Sequence, residues 1–343
     1  MLRKYLFSVL LVLIISLFYT RCTTNKFDVD VSTIDISLET FRLDNDIFTS
    51  HEVDNITWKN DLIEKYGDFY RVFVERIIKV GHSDSLQTID GVREFITDPF
   101  ILSIEDKIRE KFTVETIEGF NRQLELGFKH YNYYFPTKTI PKVVYYNSGF
   151  NYGIVTMENH IGVGLDFYLG KEDSLVKIMS GEVFHQYEKD KMDNAYLVRD
   201  VFDGWLRKDL EKLEDKTNLL SVIIGEGKIM YLMEALLPHV EEEILIRYSS
   251  HELAWTKKNK KNIWRELAKQ KIIYGTKSFD NQKWVTEGPF TNVGAFPEDS
   301  PARLGVWLGW QMVKSYMDDH PEITIDQLLE DKNYQLILNS YKP

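Results

Sequence analysis

The stretch from Asp193 to Pro238 constrains this chain most, because it reads as two consecutive helices with charged residues set among apolar ones. In the first, Leu197, Val198, Val201, Trp205 and Leu206 recur at the spacing of a buried helical stripe. Arg199 and Asp203 stand four apart and so share a face of that helix, with Asp200 beside them. In the second, from Asn218 to Tyr231, Glu226 lies between Gly225 and Gly227. Glycine inside a helical run points to tight packing rather than to a phosphate-cradling loop, which would follow a strand. Two arrangements of these charges compete. In one, a buried Arg199 guanidinium bridges Asp203 to Glu226; in the other, all are ordinary solvated charges.

The rest of the chain supplies a core for those helices. Its 343 residues are 43% hydrophobic and 13% aromatic, enough to bury a substantial interior. Ile34–Leu38 alternates apolar and polar residues, the period of a half-buried strand. Between Ile56 and Val80, Leu62, Tyr66, Phe69, Phe73 and Ile77 trace one amphipathic helix. Ser103 with Asp106 predicts a cap, opening helical sequence that runs to Tyr134 and stops before Pro136. Lys142–Tyr146 and Gly162–Tyr168 read as strands on either side of a turn at Asn151-Tyr-Gly. Beyond Pro238 a helix is expected from Asn262 to Tyr274, closing on a left-handed Gly275. Phe279 to Asp299 is irregular. Ser300 and Pro301 then predict a helix start, with Gly305 and Gly309 one turn apart for close approach of a neighbour, and Thr324 with Gln327 a last capping box. No repeat or linker interrupts the pattern. The expected fold class is α+β, mainly helical, one domain over residues 31–343 with a small antiparallel sheet.

The N-terminus carries an address. Arg3 and Lys4 precede the apolar run Tyr5–Tyr19, which has the length of a signal-peptide core. The single cysteine, Cys22, follows directly and excludes an internal disulfide. The economical reading is a lipoprotein: a signal peptide over residues 1–21, an acylated Cys22 held at a membrane surface, and a tether over residues 22–30. Arg21 stands where a small residue is usual before such a cysteine. A membrane helix at the start, or a chance cysteine in a plain secreted protein, are the rival readings. Without Arg3, Lys4 and Arg21 the balance is 39 basic against 53 acidic residues, or −14. That surface repels phosphate backbones, so no nucleic acid partner is expected. The basic run Lys257–Lys261 reads as a solvated helix start.

Catalytic chemistry finds little support. None of the histidines (His51, His82, His130, His160, His185, His239, His251 and His320) lies within four residues of another, so no helical His pair exists to hold zinc. His251-Glu252 opens like such a motif but meets Trp255 where the second His belongs, and His185 would need distant carboxylates. A guanidinium at Arg199 repels a divalent cation at coordination distance. No local signal marks a serine such as Ser180 as activated, and Glu172-Asp173 and Asp318-Asp319 sit in polar, solvated contexts. Neither metal nor other cofactor is expected.

In chain order, the start through Cys22, Phe27–Val31, Ile36–Arg42, Gly162–Tyr168, Ile223–Tyr231 and Ser300–Trp310 together resemble the gliding-motility lipoprotein GldB family. That family is in turn remotely similar to predicted zinc peptidases, which carry His-Glu-x-x-His and then a later Glu. On that pattern Arg199, Asp200 and Asp203 fall at the His, Glu and His places and Glu226 at the later acid, implying a degenerate zincin-like scaffold. The resemblance implies a non-catalytic envelope lipoprotein, on the periplasmic side, required for gliding motility and associated protein secretion. Its partners would be the membrane, through the lipid, and other gliding and secretion envelope proteins. The alternatives are a lipid-anchored zinc-dependent peptidase with an atypical site, and a cell-wall-binding module using Trp284, Phe290 and Phe296.

Overall fold

Lys142–Tyr146 forms the strand its β-branched and aromatic residues predict, and it is buried from Val143 onward. In the computed structural model, which describes residues 25–49, 54–213, 215–269, 272–294 and 296–343, this strand is β2 of a four-stranded sheet. The others are β1 (Thr40–Arg42), β3 (Ile154–Thr156) and β4 (His160–Gly164), in the order β1-β2-β4-β3. β2 runs parallel to both β1 and β4, and β3 pairs antiparallel with β4 at the edge. The sheet is therefore mixed, not antiparallel as expected. A helical excursion separates β1 from β2, and a long connection of that kind is what returns a chain parallel to itself. Ile34–Leu38, expected as a strand, is not one; its alternately half-buried residues lead into the ladder, which opens where Glu39 O accepts from Val143 N at 2.9 Å. The predicted strand from Gly162 ends at Gly164 and tightens into a 3₁₀ turn, Leu165–Tyr168.

The excursion comprises α1 (Leu43–Thr49), α2 (Asn55–Tyr66), α3 (Asp68–Val72), α4 (Gln87–Thr97), α5 (Pro99–Lys111) and α6 (Val114–Tyr134). Leu62, Tyr66, Phe69, Phe73 and Ile77 are all buried, as their periodicity predicts. They belong to two helices and a following π turn rather than to one helix, because the chain breaks at Gly67, whose φ of 50° favours glycine. Asp98, not Ser103, caps α5: its carboxylate accepts from Phe100 N and Ile101 N, and Pro99 fills the first turn.

After the sheet come α7 (Ser174–Ile178), α8 (Gln186–Lys189), α9 (Leu197–Leu210), α10 (Leu219–Leu236), α11 (Glu242–Ile246), α12 (Ser250–Lys269), α13 (Ser278–Gln282), α14 (Leu304–Asp319), α15 (Ile325–Glu330) and α16 (Tyr334–Ser340). Glycine decides how α10 meets α14. A Cβ on Gly309 would lie 1.9 Å from Ile223 O, and one on Gly227 would lie 2.3 Å from the Gly309 carbonyl carbon. The two backbones touch, and no side chain fits between them. The capping box at Thr324 and Gln327 is present. α12 begins at Ser250, well before the expected Asn262, so the basic run lies mid-helix with its lysines in solvent. Gly275 is not left-handed. Ser300-Pro301 does not open α14, because Pro301 O is held by both the amide and the hydroxyl of Thr291. The helix starts only after Arg303.

Both the expected signal peptide and Cys22 lie outside the described residues. The expected tether is shorter than residues 22–30. Phe27 is buried edge-on against the Tyr231 ring at 5.1 Å, and Asn25 Nδ2 donates to Pro238 O at 2.7 Å. Burial of a ring of this size favours docking of the segment on the domain. Among the described residues, no helix is long and apolar enough to cross a membrane.

Candidate functional site

α9 lies directly under β3. Gly204 makes this approach feasible, since a Cβ there would stand 2.8 Å from the Ile154 side chain. Its entry is set by Asp193, which accepts from Ala195 N and starts a 3₁₀ turn before the helix proper. Leu197, Val198, Val201, Trp205 and Leu206 are buried as predicted, and Arg199, Asp200, Asp203 and Arg207 occupy the remaining face.

Arg199 is buried, with 3% of its side chain exposed. Nε donates to Leu245 O at 2.9 Å, Nη1 to Asp200 Oδ1 at 2.7 Å and Nη2 to Asp203 Oδ1 at 3.2 Å. It does not bridge to Glu226. That carboxylate belongs to Arg207, whose Nη1 and Nη2 grip it bidentately at 2.8 and 2.7 Å while Nε donates to Asp203 Oδ2 at 3.0 Å. The correction is about two helical turns, from Arg199 to Arg207. Arg207 stands as far beyond Asp203 as Arg199 stands before it; only the later position reaches Glu226 of α10, while Arg199 Nη2 meets Met233 Sδ of the same helix at 3.8 Å. The result is an alternating series, Asp200, Arg199, Asp203, Arg207, Glu226.

Sequence reasoning missed the members that come from elsewhere. Tyr168 donates its hydroxyl to Asp200 Oδ2 at 3.2 Å, and Arg247 Nη1 lies 3.4 Å from Asp200 Oδ1. Arg303 Nη1 donates to Glu287 Oε1 at 3.0 Å and to Ile246 O at 3.2 Å. Arg207 alone was locally legible, by the same four-residue spacing that singled out Arg199.

The electrostatics of the series are fixed. Burial by itself raises the Asp203 carboxyl, but Arg199 and Arg207 override it and hold it well below the usual carboxylate range. Arg207 is pulled down by burial and pushed up more strongly by Asp203 and Glu226. Burial, then the charge of Asp200, pushes the Tyr168 phenol well above its ordinary value. None of these three groups changes charge near neutral pH.

Above α9 opens a cavity of about 370 Å³, lined by Gly153 and Ile154 of the β3 side, by Phe167 and Tyr168, and by Arg199 and Asp203. A second compartment of about 390 Å³ shares Tyr187, Lys191, Arg247 and Glu287 with it and extends to Tyr196 and Ser249. Together they form one cleft. The donor set does not fit zinc: where the peptidase pattern places two histidines and two acids stand one guanidinium and three carboxylates, each already bound by a guanidinium. Among the described residues, no three His, Cys, Asp or Glu side chains converge as metal ligands. His185 and His251 are exposed. Trp284 is buried with its ring edge-to-face on Phe296 at 5.9 Å, and Phe290 and Phe296 are half-buried.

A second polar cluster went unpredicted. At the carboxyl ends of β1, β2 and β4 lie the buried acids Asp44 and Asp166, with Glu105 of α5 beside them. Arg42 pairs with Asp44 at 2.5 Å, Ser148 Oγ donates to Asp166 Oδ2 at 2.7 Å, and Asn147 Nδ2 approaches Glu105 Oε2 at 3.4 Å. Glu105 is pushed up to about 7, by burial first and then by the charge of Asp44; burial pushes Asp166 up to about 6.

A profile of the family described as gliding motility protein GldB matches residues 24–343. No curated protein and no solved structure matches the chain. Nothing in these comparisons links it to zinc peptidases.

Proposed function

Because the chain belongs to the GldB family of gliding-motility lipoproteins, we propose that it is a non-catalytic envelope component, anchored through Cys22, that serves motility and the associated secretion by holding other envelope proteins. Family membership itself implies a role in gliding motility and a lipid-anchored place in the envelope. The absence of chemistry and the work through partners are our reading, as is the periplasmic side.

One observation carries it. The charged residues Arg199, Asp200 and Asp203 that line the cleft are held in the series that runs on behind it through Arg207 to Glu226. A general acid or base works by changing charge near the operating pH and by having a lone pair or proton to offer substrate. Asp203 and Arg207 are locked away from that range, and both oxygens of Asp203 already accept from guanidinium donors. Such a network positions walls; it does not transfer protons. A cleft with rigid walls is a recognition surface.

Two measurements on the full-length chain test this. In-cell crosslinking followed by isolation of the lipoprotein is expected to bring envelope partners with it. Incubation with a quenched-fluorescent peptide library, with and without added zinc, is expected to give no cleavage. Turnover that Glu226→Gln abolishes would refute the non-catalytic reading.

A further inference from the structure

The sheet ends at β3, and the outer side of that strand is open. Against β4, Gly153 O accepts from Gly164 N at 2.7 Å and Met157 N donates to His160 O at 2.8 Å. Inward and outward residues alternate along such a ladder, so Val155 also faces β4, while Ile154 and Thr156 point their N–H and C=O groups away from it. No hydrogen bond from any described residue reaches those four groups. Ile-Val-Thr also lacks the usual guards of an edge, since it carries no charge and no proline.

That edge leads into the cleft, because Gly153 and Ile154 line its first compartment. Six acidic and four basic residues line the two compartments together. The basic ones are engaged. Arg199 is held as described, Lys191 donates to Arg247 O and lies 3.6 Å from Glu252, Lys171 lies 3.8 Å from Asp190, and Arg247 packs over the Tyr196 ring beside Asp200. Glu188 is different. It accepts from the His185 backbone N–H at 2.7 Å, and no cation among the described residues lies within ion-pair distance of it. Glu287 keeps 42% of its side chain exposed.

We propose that the β3 edge and the cleft receive an extended segment of a partner polypeptide as a fifth strand, with a lysine or arginine side chain of that segment seated between Glu188 and Glu287. Backbone pairing with Ile154 and Thr156 supplies affinity that does not depend on sequence, and the carboxylates supply selection for a cation. The inference rests on the reading that this protein works through protein partners, and it names the chemistry of the contact.

The test uses the detergent-solubilised full-length chain and two capped heptapeptides, Thr-Val-Thr-Lys-Thr-Val-Thr and the same peptide with Glu at the centre. The Lys peptide is expected to bind about tenfold or more tighter than the Glu peptide. N-methylation of alternate amides in the Lys peptide is expected to abolish binding without touching the protein. Thr156→Pro removes one outward N–H and leaves the β3–β4 ladder intact; with melting temperature as the check on folding, it is expected to abolish binding too, and Glu188→Gln to weaken it. Equal binding of the two peptides, binding of neither, or indifference to N-methylation overturns the proposal. In cells, partners that still crosslink to the Thr156→Pro, Glu188→Gln chain would overturn strand addition while the partner reading stands. No crosslinked partner on the unaltered chain would overturn both.

Discussion

Truncating Arg199 tests the buried series most directly. Arg199→Ala removes the Nε–H that satisfies Leu245 O, the 2.7 Å bond to Asp200 and the 3.2 Å bond to Asp203. The damage is bounded by what remains: Asp200 keeps Arg247 and the Tyr168 hydroxyl, and Asp203 keeps Arg207. An unpaired buried carbonyl alone costs about 1–3 kcal/mol. Adding the loss of a buried cation among acids brings the expected destabilisation to about 3–5 kcal/mol, against about 0.3–0.5 kcal/mol for an exposed helix pair. For a protein whose whole stability is of the order of 5–15 kcal/mol, that is a large fraction. Urea unfolding of the full-length chain, followed by tryptophan fluorescence with Trp205 on α9 itself, reads the difference. Replacing Arg199 by Met together with Asp200→Asn is expected to recover part of the loss, since the three guanidiniums of Arg207, Arg247 and Arg303 then stand with the three carboxylates of Asp203, Glu226 and Glu287. Arg199→Ala costing less than about 1 kcal/mol would refute the buried network.

The same variant has a pH signature. Asp203 is held below its unfolded value, so its contribution is complete above about pH 4, where an unfolded Asp titrates, and is lost as pH falls through the folded value. With Arg199 gone, one of its two largest stabilising charges disappears. The acid limb of the stability curve is expected to move to higher pH.

Other predictions address the packing, the second cluster and the anchor. Gly309→Ala drives a Cβ into Ile223 O and is expected to cost about 3 kcal/mol or more by thermal unfolding, whereas Gly225→Ala, with open space around its Cβ, is expected to be neutral or to stabilise by up to about 1 kcal/mol. A glycine at 309 that tolerates alanine would show that the helices are free to separate. Glu105 is pushed up to about 7 from 4.5, so its protonated form favours folding below that range and the benefit is lost as pH rises through 7, a difference of about 3 kcal/mol. Glu105→Gln is therefore expected to flatten the stability profile between pH 5 and pH 8, and an unchanged profile contradicts the assignment. Cys22→Ser is expected to release the chain from membranes and abolish fatty-acid labelling; a variant that stays bound and normally processed argues against lipidation.

Features whose cause is local were legible. Gly309 announces a backbone contact because nothing but a missing side chain is being selected, and Gln327 reciprocates with Thr324 across a single turn. Strand direction is not local. Whether β2 runs with or against its neighbours depends on how residues 43–134 carry the chain back, and no periodicity within Lys142–Tyr146 records that. Ser300-Pro301 misled for a related reason. Its cap chemistry is sound, but Thr291 claims the Pro301 carbonyl and defers the helix past Arg303. Local signals propose an end; a tertiary hydrogen bond decides it.

The charged site divides along the same line, and electroneutrality explains where. One guanidinium among Asp200, Asp203 and Glu226 would leave two uncompensated negative charges in a site where Arg199 and Asp200 are buried, which desolvation does not permit. That imbalance was visible in the sequence, and Arg207 was the nearest cation with the right helical spacing to relieve it. The remaining charge has to come from elsewhere in the fold. Arg247 comes up beside Asp200 and Arg303 pairs with Glu287, so four guanidiniums stand with four carboxylates. Both incoming arginines sit at positive φ, 61° and 59°, a conformation that costs a residue with a side chain about 1–2 kcal/mol. Backbone strain at two cations that serve one buried cluster indicates that tertiary structure, not local preference, sets those turns. Glycine at 247 or 303 would relieve the backbone but remove the charge, so Arg247→Gly and Arg303→Gly are expected to destabilise the chain despite improved local geometry, and a gain in melting temperature from either would break the argument.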